Sequence, residues 1–323
     1  MIVGTNRKIY KYVPIKECMV YHEIRESNRR KKHYLIHNAR KNGKWVKKAK
    51  LIGTGKLSKE KIREEKKKFE KEIITEEKYT YLKKKDVALI ENFKEIYNEK
   101  ISSMQKEEYE KFQNSFFTEL TYDSNAIEGS SLSLQETALV VNEGIVPEGK
   151  TLREVYEARN HAKALQFIKD YKGDLDEVFI LKLHKLILQD ISGRFAGRYR
   201  ESQVRIFGSD VKFPTANKIP QLVKNLVHWY KENKKKFHQF ELAVLISMKL
   251  VTIHPFVDGN GRVSRLVMNF LLGKKKYPWI NIYNKKRQKY LDAVRKANDE
   301  NYSLIFPFLI KTLEENLKDF GII

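Results

Sequence analysis

The sequence predicts a mainly α-helical protein, with a small antiparallel β unit and a charged helix ahead of the main domain. Three observations carry this. Apolar residues recur at helical spacing through much of the chain, as at Leu242, Leu245, Ile246, Leu250 and Ile253. Residues 59–85 are dense in Lys and Glu with sparse apolar positions, the pattern of an exposed helix supported by charge pairs four apart. Near the start, Asn42-Gly43 separates two runs with strand alternation, a strong hairpin signal.

Taken in order, residues 19–25, 33–40 and 45–53 read as the strands of a β unit within residues 1–57. Ser58 is a helix cap, and a charged helical linker follows over 58–111. Its later part is more amphipathic, through Leu89, Ile90, Phe93, Ile96 and Tyr97. Ser133 with Glu136 three residues on forms a capping box. Helices are expected over 154–171, where Val155, Ala158, Ala162, Leu165 and Ile168 share a face, and over 176–187. Within the latter, His184 reads as a packed residue with no evident partner. Residues 193–200 are Gly- and Arg-rich and break the helical pattern. Residues 202–208 and 211–214 then read as a strand, turn and return. Helices over 220–231, 240–253 and 263–272 follow, and two closing helices end near residue 317.

Composition excludes several classes. The single cysteine, Cys18, leaves no internal disulfide possible and fits a reducing cytosol, so a cytoplasmic protein is expected. The first residues lack the apolar core of a signal peptide. The longest apolar stretch, near 242–253, is broken by Lys249 and too short to span a bilayer, so no membrane partner is expected. Zinc-type Cys/His spacing, a Walker loop and internal repeats are all missing from the sequence. The net charge of +23 is uneven: residues 1–60 hold 17 Lys and Arg against 4 Asp and Glu. Such a basic segment suits nucleic acid or an acidic partner, and equally a lysine-rich solvated surface.

The chemistry concentrates in residues 254–265, between two apolar helices. Gly259 and Gly261 admit positive φ and close backbone approach by a ligand. A Gly-rich turn entering a helix points N–H groups at an anion, and the helix dipole favours negative charge there. Arg262 and Arg265 add forked donors that match phosphate oxygens. Asp258 supplies the hard oxygen that Mg²⁺ prefers. His254 is neutral near pH 7 and can accept a proton. The sum is a magnesium-nucleotide phosphate site with a base beside it.

Residues 254–265 fit in full the pattern His-x-Phe-x-(Asp/Glu)-Gly-Asn-Gly-Arg-x-x-Arg, and on these residues the chain resembles the Fic family over about 112–317. That resemblance implies a Fic-type helical domain with a β-hairpin flap. It implies transfer of AMP from Mg-ATP to a Ser, Thr or Tyr hydroxyl of a protein, the chain itself included. On this resemblance His254 is the base, Asp258 holds Mg²⁺, and Gly259, Asn260 and Gly261 form the anion cradle, with Asn260 also fixing the turn. Arg262 holds the leaving phosphates and Arg265 the γ-phosphate. Upstream, Ser124-x-x-x-Glu128-Gly129 resembles the family's inhibitory motif, here within a helix at about 116–129 that precedes the catalytic core. Glu128 is then expected to pair with Arg265 and block the γ-phosphate. The flap, through Val211, Lys212 and Phe213, is expected to dock the target segment. Two other readings stay open: removal of AMP from a modified protein at the same site, and a nucleic-acid-binding regulator acting through residues 1–60. A homodimer also stays open.

Overall fold

The computed structural model describes residues 20–27, 30–41, 44–77, 81–204 and 213–323. The chain divides between Glu76 and Glu77 into two compact units.

The first unit holds three strands, β1 (Val20–Ser27), β2 (Arg30–Lys41) and β3 (Lys44–Thr54), and helix α1 (Lys59–Glu77). The strands are antiparallel in the order β1-β2-β3, with Tyr21 opposite Ile36 and Ala39 opposite Val46. An irregularity in register falls between His33 and Tyr34. The Asn42-Gly43 turn lies outside the described residues, but the Lys41–Lys44 pairing on either side fixes the hairpin register. Phe69 of α1 packs with Val20, Leu35 and Ile52, so one apolar residue from the charged helix closes the sheet's small core. The start of α1 is capped as expected, with the Lys61 N–H donating to Ser58 Oγ.

The second unit is all helical among its described residues. It runs α2 (Lys84–Ser103), α3 (Lys106–Ile127), α4 (Leu134–Ala138) with a π-helical extension over Leu139–Glu143, α5 (Leu152–Asp170) and α6 (Glu177–Leu188). Then follow α7 (Ile219–Asn233), α8 (Gln239–Ile253), α9 (Asn260–Gly273), α10 (Arg287–Asn298) and α11 (Ile305–Asp319). Helix α8 is apolar on nearly every face, which is the composition of a helix buried all round. It packs on α7, α9 and α10, while α9 also meets α5 and α6. Ile90 and Phe93 place α2 in the same core.

Polar side chains lock this core around the site. Asp123 of α3 accepts from Asn281 Nδ2 and from the Asn284 N–H, both at 2.7 Å. Arg287 donates to the Ile127 carbonyl at 2.7 Å. These bonds anchor the end of α3 to the segment after α9. Asn269 of α9 holds that segment in turn, donating to the Ile280 carbonyl and accepting from the Ile280 N–H. Burial leaves no water to replace either bond. Asn269→Ala is therefore expected to destabilise the second unit by about 2–4 kcal/mol, the cost of two unpaired backbone groups, measured as a shift in urea unfolding.

Candidate active site

The site is assembled where α8 ends and α9 begins. His254 caps α8 in the left-handed conformation, with φ 52° and ψ 60°. That conformation is uncommon for a histidine and turns the chain sharply out of the helix. The His254 Nδ1 lies 3.2 Å from the Val251 carbonyl, which can only accept. The ring proton therefore sits on Nδ1, and Nε2 is left as the acceptor. Phe213 stacks on the imidazole with ring centres 3.9 Å apart. Burial drives the His254 pKa down from 6.5 to about 4, and Arg200 adds to this, against the opposing Val251 carbonyl, Glu128 and Asp258.

Phe256 is fully buried and pins the loop to the core, stacked on His184 at 3.7 Å. Asn260 closes the turn: its Oδ1 accepts from the Phe256 N–H and its Nδ2 donates to the Phe256 carbonyl, both at 2.9 Å. The carboxamide is thus committed to the turn, so any phosphate contact from Asn260 falls to its backbone N–H. Gly259 has φ 76°, as the entry to α9 demands. Gly261 serves a different purpose, because a Cβ there would collide with the Glu128 carboxylate.

Asp258 Oδ1 accepts from the Gly259 N–H and from Arg262, and Oδ2 accepts from Arg153 at 2.6 Å. Burial works to raise its pKa, but Arg262, the Gly259 N–H and Arg153 together outweigh that and hold it below the ordinary range. Arg262 is 1% exposed. Its Nη1 lies 3.2 Å from Glu157 Oε1 without hydrogen-bond alignment, and its Nε has no hydrogen-bond partner among the described residues. Two buried donors beside a helix N-terminus suit the oxygens of a phosphate chain. The lone hard carboxylate of Asp258 suits an Mg²⁺ that takes its other ligands from phosphate and water.

Arg265 is buried and held by the end of α3. Its Nε donates to Ser124 Oγ, and its Nη2 donates to the Ser124 carbonyl at 2.8 Å and to Glu128 Oε1 at 2.8 Å. Burial works against its charge, and Glu128 and Tyr290 restore it, leaving its pKa raised. Glu128 is also the C-cap of α3, and Gly129 follows with φ 106°. A helix end and an ion pair thus meet in one residue.

Every site residue expected near the loop is brought together, including Ser124 and Glu128, which lie 141 and 137 positions before Arg265. Of the expected flap, Val211 and Lys212 lie outside the described residues, and Phe213 is the base-stacking residue named above.

Four positioning residues were not assigned from sequence. Arg200 donates to the carbonyls of His254, Ser202 and Pro214, and its own N–H to the Pro255 carbonyl, tying three segments together. His184 accepts the Gly197 N–H at Nδ1, so its Nε2 carries the proton and donates to the Asp258 carbonyl at 3.2 Å. His161 is buried beside Arg262 and Arg265, pairs with Thr121 Oγ1, and has its pKa pushed well down, first by burial. Arg153 reaches Asp258 from α5. Nothing periodic marks these residues in the sequence, since each acts across a long chain separation.

Part of the chain is similar to known proteins. Residues 174–272 match the Fic/DOC family. The chain is 32% identical over 200 residues to a protein named protein adenylyltransferase Fic from Drosophila virilis, covering 61% of this chain and 41% of that protein. The Drosophila melanogaster protein of the same name matches at 32% over 200 residues, with 61% and 40% covered. The match thus spans about two-fifths of these relatives. Fic-1 (residues 134–508) from C. elegans superposes with a TM-score of 0.66 at 24% identity, covering 73% of this chain and 72% of that one, a likeness of fold. A Fic-domain signalling protein from Bacteroides thetaiotaomicron gives 0.62 at 26%, covering 72% and 98%. Residues 174–272 are thus similar to the Fic/DOC family, and the larger part of the helical unit shares its fold with Fic proteins.

The two site histidines give a pH test. With the His254 pKa near 4 when folded and 6.5 as the ordinary value, the unfolded chain binds the extra proton first as pH falls. Stability from this group is therefore complete above about pH 6.5 and is lost as pH falls toward 4; His184, also about 4 through burial, behaves alike. In NMR titration both imidazoles should remain neutral at pH 6. His254→Gln should flatten the loss of urea stability between about pH 6.5 and 4.

Proposed function

We propose that this chain is a protein adenylyltransferase, transferring AMP from Mg-ATP to a Ser, Thr or Tyr hydroxyl of a protein, and that Glu128 holds it in check. One observation carries the reading. A neutral imidazole with a defined acceptor nitrogen stands in the same loop as a helix-end anion cradle and two buried guanidinium groups. The similarity to proteins named adenylyltransferases supports ATP as the donor.

The chemistry follows from the residues. His254 Nε2 takes the proton of the target hydroxyl as its oxygen attacks the α-phosphorus. A P–O bond forms to the target, the bond to the β-phosphate bridging oxygen breaks, and pyrophosphate leaves. The first N–H groups of α9 and Arg262 hold the phosphate oxygens and offset charge as it builds there. Asp258 would hold Mg²⁺, which supplies Lewis-acid polarisation of the phosphates when bound. Arg265 would hold the γ-phosphate, but Glu128 Oε1 and Ser124 now occupy its fork. A target segment would dock through Val211, Lys212 and Phe213 and present its hydroxyl to the base, against which Phe213 is stacked.

Removal of AMP at the same site is the second reading, favoured by the Glu128 carboxylate lying close enough to influence His254. A nucleic-acid role for the basic first unit stands behind both, supported by composition alone.

The 323-residue chain incubated with Mg²⁺ and ATP labelled at the α-phosphate tests the proposal. Glu128→Gly should raise label incorporation by tenfold or more, on the order of one released ion pair. His254→Ala in that background should abolish it while nucleotide still binds. Incorporation that survives loss of His254 contradicts the base assignment. AMP released from modified protein without incorporation would favour the second reading.

A further inference from the structure

We propose that Arg153 is a built-in counter-cation that occupies the Asp258 carboxylate and competes with the divalent metal for it, so that Arg153 sets the metal requirement of the site. This rests on Asp258 as the metal-holding residue.

The four side chains form a closed ring of alternating charge. Arg153 Nη2 meets Asp258 Oδ2 at 2.6 Å, and Arg153 Nε meets Glu157 Oε1 at 3.2 Å. Arg262 closes the ring, with Nη2 3.3 Å from Asp258 Oδ1 and Nη1 3.2 Å from Glu157 Oε1. The two guanidiniums differ in one respect that decides their roles. The Arg262 side chain is 2% exposed and fixed in the core, whereas that of Arg153 is 60% exposed and free to swing into solvent.

The division of the Asp258 oxygens points the same way. Oδ1 is taken by the loop's own Gly259 N–H and by Arg262, and Oδ2 is the oxygen that Arg153 covers. A metal ion and a guanidinium on one oxygen repel each other, so each weakens the other's hold there.

The position of Arg153 in its helix supplies an independent argument. It stands in the first turn of α5, just after the Thr151 cap, where the positive end of the helix disfavours a cation. Glu154 in the same turn obeys that preference, and Arg153 breaks it. Its pair with Glu157, four residues on, offsets that cost within the helix, and the contact with Asp258 is the one that reaches outside it to the site.

The consequence is a site that is charge-balanced before metal arrives. When Asp258 takes a metal, Arg153 would give up that carboxylate and keep Glu157 as its neighbour.

Direct Mn²⁺ binding to the full chain with saturating ADP, followed by the electron paramagnetic resonance of free Mn²⁺, tests this without relying on catalysis. Arg153→Gln and Arg153→Ala should each bind Mn²⁺ about three- to fivefold more tightly, the scale of an exposed ion pair. Arg153→Lys should stay nearer the native value. Asp258→Asn should weaken Mn²⁺ binding and erase the gain from Arg153→Gln. Unchanged or weaker Mn²⁺ binding in Arg153→Gln, with Asp258→Asn still weakening it, overturns the role of Arg153 and leaves the metal assignment standing. No effect of Asp258→Asn removes the metal assignment itself, and the proposal with it.

Discussion

One buried guanidinium governs this structure. Arg265 is buried, and a buried arginine cannot shed its charge. It must find anionic or carbonyl acceptors wherever it points. The end of α3 supplies them, through the Ser124 hydroxyl, the Ser124 carbonyl and the Glu128 carboxylate. Much of the second unit's polar architecture can be understood as holding that helix end in place. Asp123, Asn281, Asn284 and Arg287 fasten α3 to the segment after α9, and His161 is kept neutral between α3 and the two arginines. Gly261 leaves the space in which the Glu128 carboxylate rests.

The same logic of mutual support runs through the loop. Burial keeps His254 and His184 neutral, and each then has a defined tautomer because its one protonated nitrogen faces a carbonyl. Arg200 grips the backbone on both sides of His254, and Phe256 and Asn260 stop the turn from opening. In the proposed reaction, His254 with its fixed acceptor nitrogen and the turn entering α9 would meet the geometric demand of phosphoryl chemistry, which depends on positioning more than on reactive groups. The left-handed strain at His254 is tolerated because so many contacts over-determine it.

The main features of this fold were legible because they are local. Helical spacing marked α5, α8 and α9, the capping box marked α4, and the Asn-Gly turn marked the β2–β3 hairpin. The site's chemistry was legible because its donors and acceptors crowd into twelve consecutive residues, so spacing alone sets them on one turn. What could not be seen was who meets them from afar. Arg153, His161, His184 and Arg200 each look like an ordinary helix or loop residue, and only tertiary packing brings them to Asp258, Arg262 and His254. Hydrophobic patterning picked out Ile90 and Phe93 on α2 but not what they pack on, which is the second unit's core. Its Glu91 meets His238 and Tyr277, a contact no periodicity encodes.

If Glu128 and the γ-phosphate compete for the fork at Arg265, removing the carboxylate must strengthen binding of the nucleotide that carries a γ-phosphate and leave one without it little changed. Calorimetric titration of ATP and ADP, with Mg²⁺, into the native chain and into Glu128→Gly measures this directly. The expected result is a gain of several-fold or more for ATP and little for ADP, the scale of one charge-assisted contact. An equal change for both nucleotides, or none for either, would contradict the competition.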